Sequence, residues 1–210
     1  MTEQEIRTIL NRQREYFATG ATLSRKFRAE QLGKLKASLQ RHEEELNAAL
    51  QQDLGKSRME SYMCEIGLTL SELTWMQKHL RGLMREKRVP TPLSQFAAIS
   101  FRSPSPYGTV LIMSPWNYPV LLTLDPLIDA IAAGNTAVVK PSAYAPATAA
   151  VLKLILEECF PTEYVAVITG GRAENQALLQ QRFDMIFFTG GKTVGREVLR
   201  SAAEYLTPVT

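Results

Sequence analysis

Four short segments of this chain place polar or glycine-rich groups where chemistry could occur, each directly after an apolar run. The first is "MSPWNYP", Met113–Pro119, in which Asn117 sits between two prolines. An amide there is either a hydrogen-bond donor held rigidly toward a ligand or a turn residue bonding its own backbone. The second is "KPSA", where Lys140 ends a very apolar run. Its ammonium suits a ribose hydroxyl or a phosphate, and the alternative is an ordinary surface lysine. The third is "TGG", 169–171. The fourth is "FFTGGKTVG", in which Gly190 and Gly195 form a G-x-x-x-x-G where a strand gives way to a helix, so that backbone N–H groups and the helix dipole favour an anion.

Two better-known phosphate motifs are excluded by spacing. A P-loop ending in "GGKT" needs glycine at position 186, which is Ile186, and the dinucleotide fingerprint G-x-G-x-x-G follows none of the runs.

The elements that must position these segments can be read from periodicity. "TVLIM" (109–113), "TAVV" (136–139), "YVAVI" (164–168) and "MIFF" (185–188) are continuously apolar, as strands buried on both faces require, and each pair is separated by enough chain for one helix. The alternation predicts an α/β fold with a parallel, doubly wound, Rossmann-like sheet, whose ligands bind beyond the carboxyl ends of the strands. All four segments fall at those ends.

Before the sheet, three amphipathic helices are expected. The first stripe is Ile6, Ile9, Leu10, Tyr16 and Phe17, interrupted by the polar Gln13. The second runs from Phe27 to Leu50, and the third takes in Met59, Tyr62, Met63, Ile66, Leu70, Leu73, Met76, Leu80 and Leu83. Gly20 and Gly55 are placed as left-handed caps, and "RHEEE", 41–45, reads as a solvated helix face. Between 90 and 107, prolines bracket "AAISFR", an edge or hairpin strand able to pair with another subunit. The expected division is 1–88 helical, 89–107 a proline-rich connector, and 108–210 the Rossmann-like core.

Composition bounds the function. The 210 residues are 45% hydrophobic, enough for a large core, and the net charge of +3 is spread without a basic patch, so no nucleic-acid partner is expected. Cys64 and Cys159 lack the spacing of a disulfide framework or a metal site; no metal is expected, and free thiols point to the cytoplasm. "MTEQEIRTILNRQ" has no signal-peptide core. The stretch from Thr109 to Val139 has only Asp125 and Asp129 as charges, yet Pro115, Pro119, Pro126 and Gly134 divide it into pieces too short for a membrane.

"PWNYP", "KPS", "FFTGGKTVG" and "LTPVT", in this order and at these intervals, resemble the NAD(P)-dependent aldehyde dehydrogenase superfamily, most closely its class 3 branch, which also begins near the first helix without a leader. "DLGKS" and "EIG" fit the same branch, so the resemblance covers the whole chain. It implies a cofactor-binding portion of aldehyde dehydrogenase type, binding NAD or NADP and acting on a small-molecule aldehyde. Asn117 would be the oxyanion-hole donor for the oxygen formed when a thiolate adds to the aldehyde. Lys140 and Ser142 would bind the adenosine ribose and Gly190 to Gly195, including Gly191 and Val194, the pyrophosphate. The resemblance also places Met113, Ser114, Pro115, Trp116 and Gly171 among the cofactor-binding residues. A homodimer is expected by analogy.

The departures carry expectations of their own. The family's glutamate base and cysteine nucleophile fall beyond "TPVT", and neither Cys64 nor Cys159 takes the nucleophile's place, so these 210 residues alone are expected to be inactive. Ala143 replaces a glutamate that often follows "KPS" and repels the extra phosphate of NADP; acceptance of NADP, or of both cofactors, is predicted. Gly191 replaces a common serine, removing one hydroxyl donor but keeping the backbone N–H. The alternatives to an enzyme portion are a non-catalytic NAD(P)-binding remnant and an assembly module acting through "AAISFR".

Overall fold

Strand β3 (Thr109–Met113) is buried at all five residues, which is why its sequence shows no alternation. In the computed structural model, which describes residues 1–210, β3 pairs in parallel with β4 (Thr136–Lys140) on one side and β6 (Met185–Phe188) on the other; β5 (Val165–Val167) completes the order β5-β4-β3-β6. The register aligns Met113 with both Lys140 and Phe188. Three strands therefore end flush, and their outgoing loops emerge at one edge. Beyond β6 the sheet gains a further parallel bridge between Ile186 and Val209.

Helices α6 (Leu121–Ala133), α7 (Pro146–Cys159) and α8 (Arg172–Leu179) make the crossovers, and α9 (Lys192–Ala203) follows β6. Alternate strand residues feed two cores. Val110, Ile112, Val139 and Val165 pack under α6 and α7, which are backed by the N-terminal helices α2 (Arg25–Arg41), α3 (Glu43–Leu54) and α5 (Gly67–Leu83). Leu111, Met113, Val138 and Ala166 face α8, α9 and the first helix, α1 (Glu3–Ala18), through Ile6 and Leu10. The doubly wound sheet predicted from the runs is the one observed.

The N-terminal helices differ from the expected three. The second splits at His42, whose φ of −96° and ψ of 18° break the helix without glycine or proline to mark it. "RHEEE" is also more than a solvated face: His42 Nε2 meets Glu158 Oε2 at 2.9 Å and Arg41 bonds the same carboxylate, pinning the break to α7. Gln13 does not interrupt the buried stripe but belongs to it, donating from Nε2 to the carbonyl of Ala137 in β4 at 2.8 Å.

The third helix begins as a short turn, α4 (Arg58–Ser61), passes through a π-helical turn at Tyr62–Ile66, and only then becomes α5. A π-turn inserts one residue, rotating everything upstream by about 100° relative to an unbroken helix. Extending the apolar stripe backward through it puts Met59, Tyr62 and Met63 on the wrong face; all three are exposed, while Ser61 and Glu65 are buried. Gly67 permits the turn, since a Cβ there would lie 2.7 Å from the Tyr62 carbonyl oxygen.

Only the second half of "AAISFR" forms a strand, β2 (Ser100–Arg102), which pairs antiparallel with β1 (Lys87–Val89) in a separate hairpin. Pro126 falls inside α6 rather than between pieces. No helix is long and apolar enough to cross a membrane.

Candidate functional site

A cavity of about 360 Å³ opens at the flush strand ends. Met113, Ser114, Lys140, Ser142, Gly171 and Val194 all line it, contributed by β3, β4, the start of α8 and the first turn of α9. Pro115, Trp116 and Asn117 leave this lining with the loop after β3, and Gly190, Gly191 and Gly195 are not in it.

Lys140 is 3% exposed, so it is not the ordinary surface lysine that its place at the end of a strand left open. Its Nζ donates to the carbonyls of Gly170 at 2.7 Å and Pro141 at 2.9 Å. Burial pushes this ammonium below the usual lysine range, opposed by the nearby Glu174 carboxylate. Glu174 Oε2 in turn accepts the Gly171 N–H at 2.8 Å. Gly170 adopts a φ of 134°, and the space a Cβ would take is filled by the Glu174 carboxylate. Lysine, glycine turn and glutamate thus form one fixed wall.

The opposite wall is the start of α9. Its N-cap, Gly191, provides no side-chain cap for the first-turn N–H groups, and these donors are the natural complement of a phosphate. A Cβ at Gly191 would meet nothing within 4 Å, so glycine is not sterically required there. Gly190 is different: its Cβ would stand 2.5 Å from Cζ of Phe188, whose ring lines the cavity. An uncapped helix start, a buried cation and an open cleft at a sheet's carboxyl edge suit a dinucleotide, so the residues present fit the cofactor the sequence implies.

The Asn117 loop is built separately. Ser114 Oγ and Thr123 Oγ1 are 2.6 Å apart, tying the end of β3 to α6. The Asn117 residue is exposed, but its backbone carbonyl accepts from Lys56 Nζ at 2.8 Å. Lys56 also pairs with Glu65 at 2.6 Å, and Glu65 Oε2 accepts the N–H groups of Val120 at 2.7 Å and Leu121 at 3.3 Å. Close to Lys56 in "DLGKS", Asp53 caps α7, accepting from the N–H of Thr148 at 2.7 Å and that of Ala147 at 3.2 Å.

Sequence reasoning assigned Asp53, Lys56, Glu65 and Glu174 no role. Signals existed for two of them: Glu65 lies in an otherwise apolar segment, and a carboxylate on a buried face must find partners; Glu174 stands three residues after Gly171, where a glutamate closes a helix start. Asp53 and Lys56 depend on contacts beyond the reach of a local pattern.

Comparison with known proteins gives a consistent result. The sequence pattern of the aldehyde dehydrogenase family matches residues 1–210. The 4,4'-diaponeurosporen-aldehyde dehydrogenase of Staphylococcus aureus is 45% identical over 195 residues, covering 93% of this chain and 42% of that protein. Human aldehyde dehydrogenase family 3 member B1 is 43% identical over 201 residues, covering 96% of this chain and 43% of that protein. A structure described as the substrate-bound state of Staphylococcus aureus AldH superposes with a TM-score of 0.96 at 43% identity, covering 98% of this chain and 45% of that one. The chain therefore spans less than half the length of these relatives.

Proposed function

This chain belongs to the aldehyde dehydrogenase family, and from that premise we propose that the intact protein carrying it oxidises an aldehyde to a carboxylate, using NAD or NADP. These residues would supply the cofactor-binding portion and one oxyanion donor. The observation that carries the reading is the convergence of the ends of β3 and β4 with the starts of α8 and α9 on one cavity, beside an exposed asparagine.

The bound nicotinamide would supply the hydride acceptor. The contacts to the cofactor and to the developing oxyanion are assigned to the chain's own groups. Lys140 and Ser142 face the adenosine ribose; the first-turn N–H groups of α9, with the Gly190–Gly195 segment that carries them, take the pyrophosphate; Met113, Ser114 and Gly171 complete the walls, and Pro115 and Trp116 meet the cofactor from the loop beyond them. The Asn117 amide donates to the aldehyde oxygen as negative charge develops on it. The nucleophile is not assigned to this stretch: Cys159 lies on α7 with its thiol pushed up by burial, and Cys64 belongs to the π-turn; neither lines the cavity.

Ala143, at the cavity edge next to Ser142, leaves the ribose 2′ position without a carboxylate, and acceptance of NADP follows on this reading. The hairpin β1–β2 and its connection expose Leu93, Phe96, Ile99 and Phe101, which supports its use as a pairing arm in a homodimer; the free thiols favour the cytoplasm.

The test is turnover of the intact protein with a series of aldehydes and either cofactor, followed by the absorbance of the reduced nicotinamide. Lys140→Met should raise the KM for cofactor by about tenfold or more, with the KM for aldehyde unchanged. Absence of turnover with every aldehyde would remove the activity, and an unchanged cofactor KM in the variant would remove the ribose assignment. Ala143→Glu should weaken NADP relative to NAD by about tenfold, roughly 1.4 kcal/mol; a ratio that does not move would overturn the account of cofactor choice.

A further inference from the structure

A buried ion pair holds the Asn117 loop from outside the cavity. The side chains of Lys56, in the turn after α3, and Glu65, in the π-turn, are 8% and 0% exposed. The lysine also bonds the Asn117 carbonyl and stands 4.1 Å from the centroid of the Tyr118 ring. The glutamate takes the N–H groups of Val120 and Leu121, where α6 starts without a side-chain cap of its own. The pair thus grips the backbone on both sides of Tyr118 and Pro119.

Stability alone does not explain such a pair. Desolvating two charges offsets most of their attraction, and apolar residues of similar volume often serve as well or better. What an ion pair supplies, and apolar packing cannot, is directed bonds to chosen backbone atoms. Here those atoms belong to Asn117 and to the two residues that follow Pro119.

We propose that Lys56 and Glu65 are positioning residues for the Asn117 amide, fixing the backbone from which it projects toward the aldehyde oxygen. This rests on the reading of Asn117 as oxyanion donor. A donor of that kind works only within a narrow range of positions, and a displacement of about 1 Å can cost roughly a hundredfold in rate. The pair is absent from the lining of the cofactor cavity, so its effect should appear in the chemical step and not in cofactor binding.

A double-mutant cycle in the intact protein separates the possibilities. Asn117→Ala by itself should lower kcat by about 10²–10³-fold. The paired change Lys56→Met with Glu65→Gln removes both charges and the bond to the Asn117 carbonyl, while keeping volume and an acceptor for Val120. It should lower kcat by roughly 10- to 100-fold with the cofactor KM within about twofold, yet lower it by less than about twofold in the Asn117→Ala background. Lys56→Gln, whose amide ends one bond short of the lysine nitrogen, carries the same expectation if the paired variant does not fold, as judged by circular dichroism.

Equal losses in both backgrounds, an unchanged kcat, or a parallel rise in cofactor KM would overturn the positioning role. Loss of the folded state in both variants would overturn it in favour of a structural one. An undiminished kcat in Asn117→Ala would instead remove the oxyanion reading itself.

Discussion

Lys140 shows how one side chain acquires its meaning from its surroundings. Its place at the end of an apolar run marks it as a ligand-facing cation, and it does line the cavity; its ammonium, however, is bound to two carbonyls and shielded by the Gly170 turn. Periodicity cannot foresee this, because the partner carbonyl at Gly170 comes from the loop after a different strand. Gly190 gives the opposite lesson. Read as a place where phosphate approaches the backbone, it is also the place where the Phe188 ring approaches, 2.5 Å from a would-be Cβ. Gly190→Ala should therefore destabilise the protein by about 1–3 kcal/mol through overpacking. Adding Phe188→Leu should recover most of that loss in denaturant unfolding; no recovery would place the strain elsewhere.

At the scale of elements, the N-terminal helices serve the sheet by capping its crossover helices. Asp53 closes the start of α7 and Glu65 the start of α6, each from a distant part of the chain. Replacing Asp53 with alanine leaves two helix N–H groups and the Thr148 hydroxyl without their acceptor. A loss of about 1 kcal/mol is expected, read as a fall of about 2–4 °C in Tm. Within α6, Asp125 is raised to about 6 by burial first and by Glu72 and Asp129 second, and its Oδ1 has no partner. The folded form holds this proton more tightly than the unfolded chain does, whose carboxyl titrates near about 3.9. The stabilising contribution is thus complete below about pH 4 and is lost as pH rises through about 6. Asp125→Asn should accordingly raise Tm at pH 7 and leave it nearly unchanged at pH 4; melting curves showing the same gain at both pH values would assign the effect to packing instead.

At the scale of the whole molecule, the sheet is buried in the core and the β1–β2 hairpin stands apart from it as a separate sheet. Leu93 and Phe96 are 92% and 90% exposed in the connection between β1 and β2, near the exposed Ile99 and Phe101, and a contiguous apolar patch of this kind marks an interaction site. If the hairpin pairs two copies, Phe96→Glu should convert a dimer to a monomer in sedimentation experiments without changing the cofactor KM; a dimer that persists would place the interface on another surface. The parallel sheet was legible in the sequence because strands buried on both faces leave continuous apolar runs, and the carboxyl edge of such a sheet is fixed by its chirality and connections. The cavity at the strand ends, where the candidate site is placed, was legible for the same reason. Other features came only with the fold. The π-turn that buries Glu65 shifts helical phase by a single residue, and no periodic pattern registers that shift. The break at His42 carries no glycine or proline, and its reason is a carboxylate on α7, 116 residues away. The Lys56–Glu65 grip on the Asn117 loop likewise joins segments far apart in sequence. Local pattern thus determined which elements form and which edge they offer to a ligand, because burial and backbone periodicity are properties of neighbours in sequence. The partners of the buried charges were decided by tertiary structure alone, because a desolvated charge is satisfied by whatever group the fold brings within about 3 Å of it.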